Sequence, residues 1–130
     1  MTMSSVKDQV SEILDDELRR LQDATKEAAR EAAEKTVDQL KATSPKKARR
    51  GGKYARAWAY KRIGNGLLTT YVVYNSRYPG LTMNLEFGHA VSNQYGSTGK
   101  RAAAIPHIAP AEQMGIAEFE AAIERKMSRG

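Results

Sequence analysis

Cysteine is absent from these 130 residues, so disulfides and thiolate metal sites are excluded and the fold has to hold by packing alone. Long apolar runs are missing too. The opening MTMSSVKDQVSEILDDE is polar and acidic, and no later segment approaches the length of a membrane span, which reads as a soluble, unexported chain. Histidine occurs only at His89 and His107, and no Gly-x-Ser-x-Gly elbow accompanies the serines. Gly64-Asn65-Gly66 leads into a strand pattern with no Walker lysine after it, so it is a turn and not a phosphate cradle. Hydrolase and nucleotide-binding chemistry both fall away, and no enzymatic activity is expected.

Glycine and proline are also missing from Ser4 to Ala42, and this absence is informative in the other direction. Val10, Leu14, Leu18, Leu21, Thr25, Ala28, Ala32, Thr36 and Leu40 recur at spacings of three and four, the pattern of a long amphipathic helix over 1–43. Pro45 ends it, because the residue before a proline is pushed out of the helical region. Unbroken, such a helix is roughly 55 to 60 Å long, whereas a compact domain of this size has a radius of gyration of about 14 Å. It therefore kinks, frays, or projects as a subunit contact. Between Ala24 and Ala33 the stripe thins to alanine, which permits close approach of another helix.

The net charge of +6 is unevenly placed. Residues 1–43 hold ten acids against seven bases, while Lys46, Lys47, Arg49, Arg50, Lys53, Arg56, Lys61 and Arg62 follow with no acid among them. Such a cluster attracts phosphates or an acidic protein surface, and either attraction weakens with salt. Three uses stay open: phosphate contacts to double-stranded DNA, an acidic surface of a neighbouring protein, or a solvated loop beside core aromatics. The second is the favoured one.

The chain is expected to form one domain over 1–130. A basic loop at 44–53 leads to a β-hairpin at 54–76, in which Arg56, Trp58, Tyr60 and Arg62 share one face. Pro79 and Gly80 open a short helix at 79–88 stopped by Gly88. A flexible Ser/Gly/Asn loop at 89–102, a third strand at 103–108 and a last helix at 110–128 complete the layout. The fold class is α+β: a long N-terminal helix, a small antiparallel sheet of about three strands with a short helix inserted, and a C-terminal helix packed on the sheet.

Glu86 and His89 are three apart, but a catalytic zinc wants three protein ligands and a di-iron bundle wants more carboxylates than this region supplies. No metal or cofactor is expected. Glu86 should instead accept a hydrogen bond from His107 or from the start of the last helix.

Two segments carry a family likeness. LTMNLEFGHA, with Glu86-Phe87-Gly88-His89, and AAIPHIAPAEQ, with Pro106-His107-Ile108 and Pro110, stand in order around a polar loop and before an amphipathic helix. In this the chain resembles the head-tail joining proteins of long-tailed bacteriophages, the gene-product-ten-like neck or tail-completion family. The resemblance covers the second half closely and the first half in layout. It implies a structural virion-assembly protein at the neck/tail junction, assembled in the host cytoplasm, forming a cyclic homo-oligomer around the DNA path and meeting other neck or tail proteins. Leu81, Glu86, Gly88, His89, Pro106, His107, Ile108 and Pro110 are then structural motif residues. The alternative from another class is a non-specific nucleic-acid-binding module using residues 46–62.

Overall fold

The computed structural model describes residues 3–46, 52–65 and 69–128. Within them the chain runs α1 (Met3–Thr43), α2 (Lys53–Arg56), β1 (Trp58–Ile63), β2 (Thr70–Asn75), α3 (Pro79–Phe87), β3 (His89–Asn93), β4 (Gly96–Ala102) and α4 (Ile108–Ser128). The α+β class stands, with every strand pairing antiparallel.

Nothing interrupts α1, because no glycine or proline breaks its hydrogen-bond ladder before Pro45. α4 lies antiparallel along its second half. Lys35 meets Glu118 at 2.8 Å, Glu31 meets Lys126 at 2.8 Å, and the Arg20 guanidinium donates to the Met127 carbonyl. Small residues set the spacing of the two helices: Ala24, Ala28 and Ala32 are buried, and a side chain at Gly115 would collide with the Thr36 hydroxyl. Ion pairs at this exposed seam contribute little, so the close approach of the helices is what holds them.

The β1–β2 pair runs from Trp58 opposite Asn75 to Ile63 opposite Thr70. Its inner face lies on α1, with the Tyr60 hydroxyl donating to Glu34 at 2.9 Å and the Trp58 indole N–H donating to Ser44 Oγ at 2.8 Å. Val37, Leu40, Tyr54, Trp58 and Ala111 form the core cluster, joined by Tyr60, Val73, Leu85 and Ile108. Through Ile108 and Ala111 the first turn of α4 reaches the sheet, while the remainder rides on α1. Asn75, only 4 % exposed, donates to the Tyr54 carbonyl at 2.9 Å and accepts from the Tyr78 N–H at 2.8 Å, which ties α2, β2 and the start of α3 at one point.

Four local expectations change. Residues 53–56 coil into a helical turn and do not start the hairpin: Gly52 takes a left-handed φ of 84°, and the Arg56 N–H bonds back to its carbonyl. Arg56 therefore leaves the face shared by Trp58 and Tyr60, and the turn drops Tyr54 into the core, where it is 1 % exposed. Residues 89–102 form a hairpin, not a flexible loop, with Asn93 opposite Gly96 and a register irregularity between Ala90 and Ser92. Its Ser, Thr and Gly content hides the strand pattern, since backbone pairing leaves no apolar alternation to read. No strand forms over 103–108, so the β-structure is two two-stranded pairs and not one sheet of three. The donors there are already committed: the Ile105 N–H bonds the Leu85 carbonyl at 2.7 Å, and those of His107 and Ile108 bond Glu86. Finally, the last helix opens at Ile108, which puts Pro110 at its third position.

Candidate functional site

The sequence pointed to two groups of residues, and the fold treats them oppositely. It gathers the motif residues. Glu86, at the end of α3, is 6 % exposed and turns its carboxylate onto the start of α4. Oε1 accepts from the backbone N–H of His107 at 2.6 Å and of Ile108 at 2.7 Å, and Oε2 accepts from Ala109 at 3.1 Å. A helix leaves its first donors unsatisfied. Here three go to one carboxylate from more than twenty residues earlier, and Pro110 supplies none. The bond expected of Glu86 is present, and the negative charge also suits the positive end of the helix dipole.

Burial works to push the Glu86 carboxyl up, but the N–H groups of His107, Ile108 and Ala109 outweigh it and hold the carboxyl below its ordinary value. Beside it His107 is 1 % exposed. Its Nδ1 lies 2.9 Å from the Ile105 carbonyl and its Nε2 2.7 Å from the Tyr54 hydroxyl. A carbonyl can only accept, so in the neutral ring Nδ1 carries the proton and Nε2 accepts from Tyr54. The Tyr54 ring stands edge-on to both Trp58 and His107 at 5.6 Å, and burial pushes its hydroxyl up. Every polar atom of this cluster has a structural partner, and the arrangement locks α3 to α4. Gly88 ends α3 with a φ of 75°, a backbone suited to glycine. Leu81 is half-buried, Pro106 and Pro110 are exposed, and His89 opens β3.

The basic segment is instead divided. Lys46 and Arg56 lie around the end of α1, lining a small cleft with Lys41, and Lys53 opens α2 beside them. Lys61 and Arg62 are exposed towards the far end of β1, roughly 10 to 13 Å along the strand from Trp58. Lys61 also sits 5.3 Å over the Tyr74 ring. Lys47, Arg49 and Arg50 fall outside the described residues. Trp58 and Tyr60 face α1, so the rings that could have stacked on bases belong to the interior.

A third feature went unnoticed in the sequence as a site. Between α1, β2 and α4 runs a groove of about 800 Å³, with Ala29 and Ala33 on its floor, Tyr71 and Val73 along one wall and Ile116 and Phe119 on the other. Thr69 also lines it, with a buried hydroxyl that has no hydrogen-bond partner among the described residues. The one early signal was the run of alanines, which marks where something can approach closely. At the opposite end, Val6, Val10, Ile13, Leu14, Leu18 and Leu21 on α1 are 39 to 64 % exposed.

Fold and geometry together define a small α+β chain whose buried polar residues serve its own architecture and which leaves an aliphatic stripe on α1 exposed. Among the described residues no helix is long and apolar enough to cross a membrane. The chain matches, over residues 4–88, the family described as "Bacteriophage HK97-gp10, putative tail-component", and it belongs to that HK97-gp10-like family. It is thus placed among structural bacteriophage proteins of the tail. No curated protein and no solved structure matches it.

Proposed function

We propose that this chain joins the phage head to its tail, as one subunit of a closed ring at the neck/tail junction around the DNA path. It does so without catalysing a reaction and without a cofactor. The observation that carries this is the outward-facing aliphatic stripe on α1 in a chain of the HK97-gp10-like family, since a lone subunit has no use for so much exposed apolar surface. A ring of identical subunits presents two different, complementary faces on each copy. The partners are further copies and other neck or tail proteins.

Within this role the basic residues meet an acidic surface of an adjoining protein. The inward orientation of Trp58 and Tyr60 supports that use over single-stranded or base-stacking contacts, leaving DNA only phosphate attraction. The test is deletion of the gene from its phage, with particles viewed by electron microscopy. Filled heads and finished tails that fail to join are expected; joined, infectious particles would overturn the proposal. A DNA titration at two salt concentrations separates the nucleic-acid alternative: tight, steeply salt-dependent binding by a monomer would favour that instead.

A further inference from the structure

We propose that the N-terminal arm of α1, residues 5–18, seats its aliphatic stripe in the α1–β2–α4 groove of a second copy of the chain. This rests on the ring proposed above for the expectation that copies meet, and it names the contact.

The arm is roughly 20 Å of helix, and α4 ends beside Arg20, leaving Val6, Val10, Ile13, Leu14 and Leu18 exposed. These side chains continue the stripe that α4 covers further along the same helix, where Ala24, Ala28 and Ala32 are buried. The molecule thus has bulky aliphatic side chains without a hole at one end, and an alanine-floored hole without a filling at the other. A helix needs small residues beneath it to come within packing distance, and Ala29 and Ala33 supply them. The chain cannot fill its own groove. Its floor is the second half of α1, and α1 runs unbroken from Met3 to Thr43, so the arm points away from it.

Charge selects a second copy as the occupant. Residues 5–18 hold five acids, Asp8, Glu12, Asp15, Asp16 and Glu17, against the single base Lys7, while Lys41, Lys46 and Arg56 gather around the other end of α1. α1 carries the acidic end and delivers the chain to the basic one, so copies set head to tail bring opposite signs together. The arm in the groove is the apolar counterpart of that alignment.

Because the chain has no cysteine, a cross-link reports the contact without background. Protein carrying Leu14→Cys is mixed with protein carrying Ala29→Cys under mild oxidation. Rapid formation of the mixed dimer is expected, ahead of either protein cross-linking to itself. Leu14→Cys protein dimerising alone as fast as the mixture would mean arm-to-arm pairing and would overturn the proposal. Ultracentrifugation gives the second reading. Leu14→Gln with Leu18→Gln keeps helix-forming residues in the arm and should weaken self-association by about a hundredfold or more. Ala29→Trp should do the same from the groove side. The two defective proteins mixed should recover one contact per pair, a dimer that goes no further, because each retains the face that the other lacks. Wild-type protein that stays monomeric at its highest soluble concentration sinks the contact, as does assembly undisturbed by the arm changes. If the contact fails while gene deletion still leaves heads and tails unjoined, the joining role survives without it; the reverse pairing separates them the other way.

Discussion

The two halves of α1 are one helix with opposite fates. From Ala24 to Leu40 its inward positions are mostly small and almost wholly buried, with Ala28 fully enclosed; from Val6 to Leu21 they are large, branched and exposed. Hydrophobicity alone predicts the reverse order of burial. What separates the halves is the neighbour. α4 runs out at Ser128, just past the Met127 carbonyl that meets Arg20, and beyond that point no described element covers the stripe. A buried alanine loses little by enclosure in transfer energy, yet it lets a second helix come close, and the closeness supplies the contacts. The leucines of the arm retain their driving force unspent, and it is this that the contact proposed above draws on.

That contrast can be broken most directly by cutting the same side chain in both halves. Leu40→Ala, at a position 3 % exposed in the core cluster, should destabilise the isolated subunit by about 3 kcal/mol, read from denaturant unfolding. Removing the lock between α3 and α4 comes next. Glu86→Ala leaves the donors of His107, Ile108 and Ala109 without their acceptor, for a loss of about 2 to 3 kcal/mol.

The same residue carries a pH signature. A carboxyl depressed in the folded state contributes stability that is fully present above its unfolded value, about 4.5, and lost as pH falls through the folded value. Wild type should therefore weaken on the acid side of pH 4.5, and Glu86→Gln should lack that part of the slope. Matching acid profiles for the two proteins would show that the carboxylate is not the linked group.

Smaller effects sharpen the picture. Gly115→Ala forces a side chain onto the Thr36 hydroxyl and should cost about 1 to 2 kcal/mol by pushing the two helices apart. Leu14→Ala, in the free half, should change the stability of the isolated subunit by less than about 0.5 kcal/mol. Equal losses for Leu14→Ala and Leu40→Ala would mean that the arm is covered within its own chain after all.

Legibility in the sequence followed the range of the interactions. The course of α1 was readable because helix formation is local: apolar spacing, no glycine or proline, and a stop at Pro45. The short helix from Pro79 and its end at Gly88 were readable for the same reason. The bond from Glu86 to the last helix was also anticipated, since a buried carboxylate must find donors and the candidates nearby were few.

Four features escaped. The Tyr54 turn looked like a strand because Tyr-Ala-Arg-Ala-Trp alternates, and only the left-handed Gly52 and the space beneath it decide for a helical turn. The β3–β4 hairpin reads as a loop in sequence because its residues are polar and its stability lies in backbone pairing that leaves no mark in side-chain pattern. Residues 103–108 looked like a strand, but their donors face Leu85 and Glu86 and no strand edge. The basic run, continuous in sequence, was split in space by the length of β1, a separation that charge counting does not reveal.

By itself the sequence determined the three longer helices, where α1 and α3 stop, the α+β class and the absence of thiol chemistry, because each follows from neighbours a few residues apart. Only the tertiary structure decided which apolar residues are covered, which polar ones are consumed as caps, and where a groove is left open. Those outcomes depend on how far α4 reaches along α1 and on which strands find an edge, and both are settled between residues far apart in the chain.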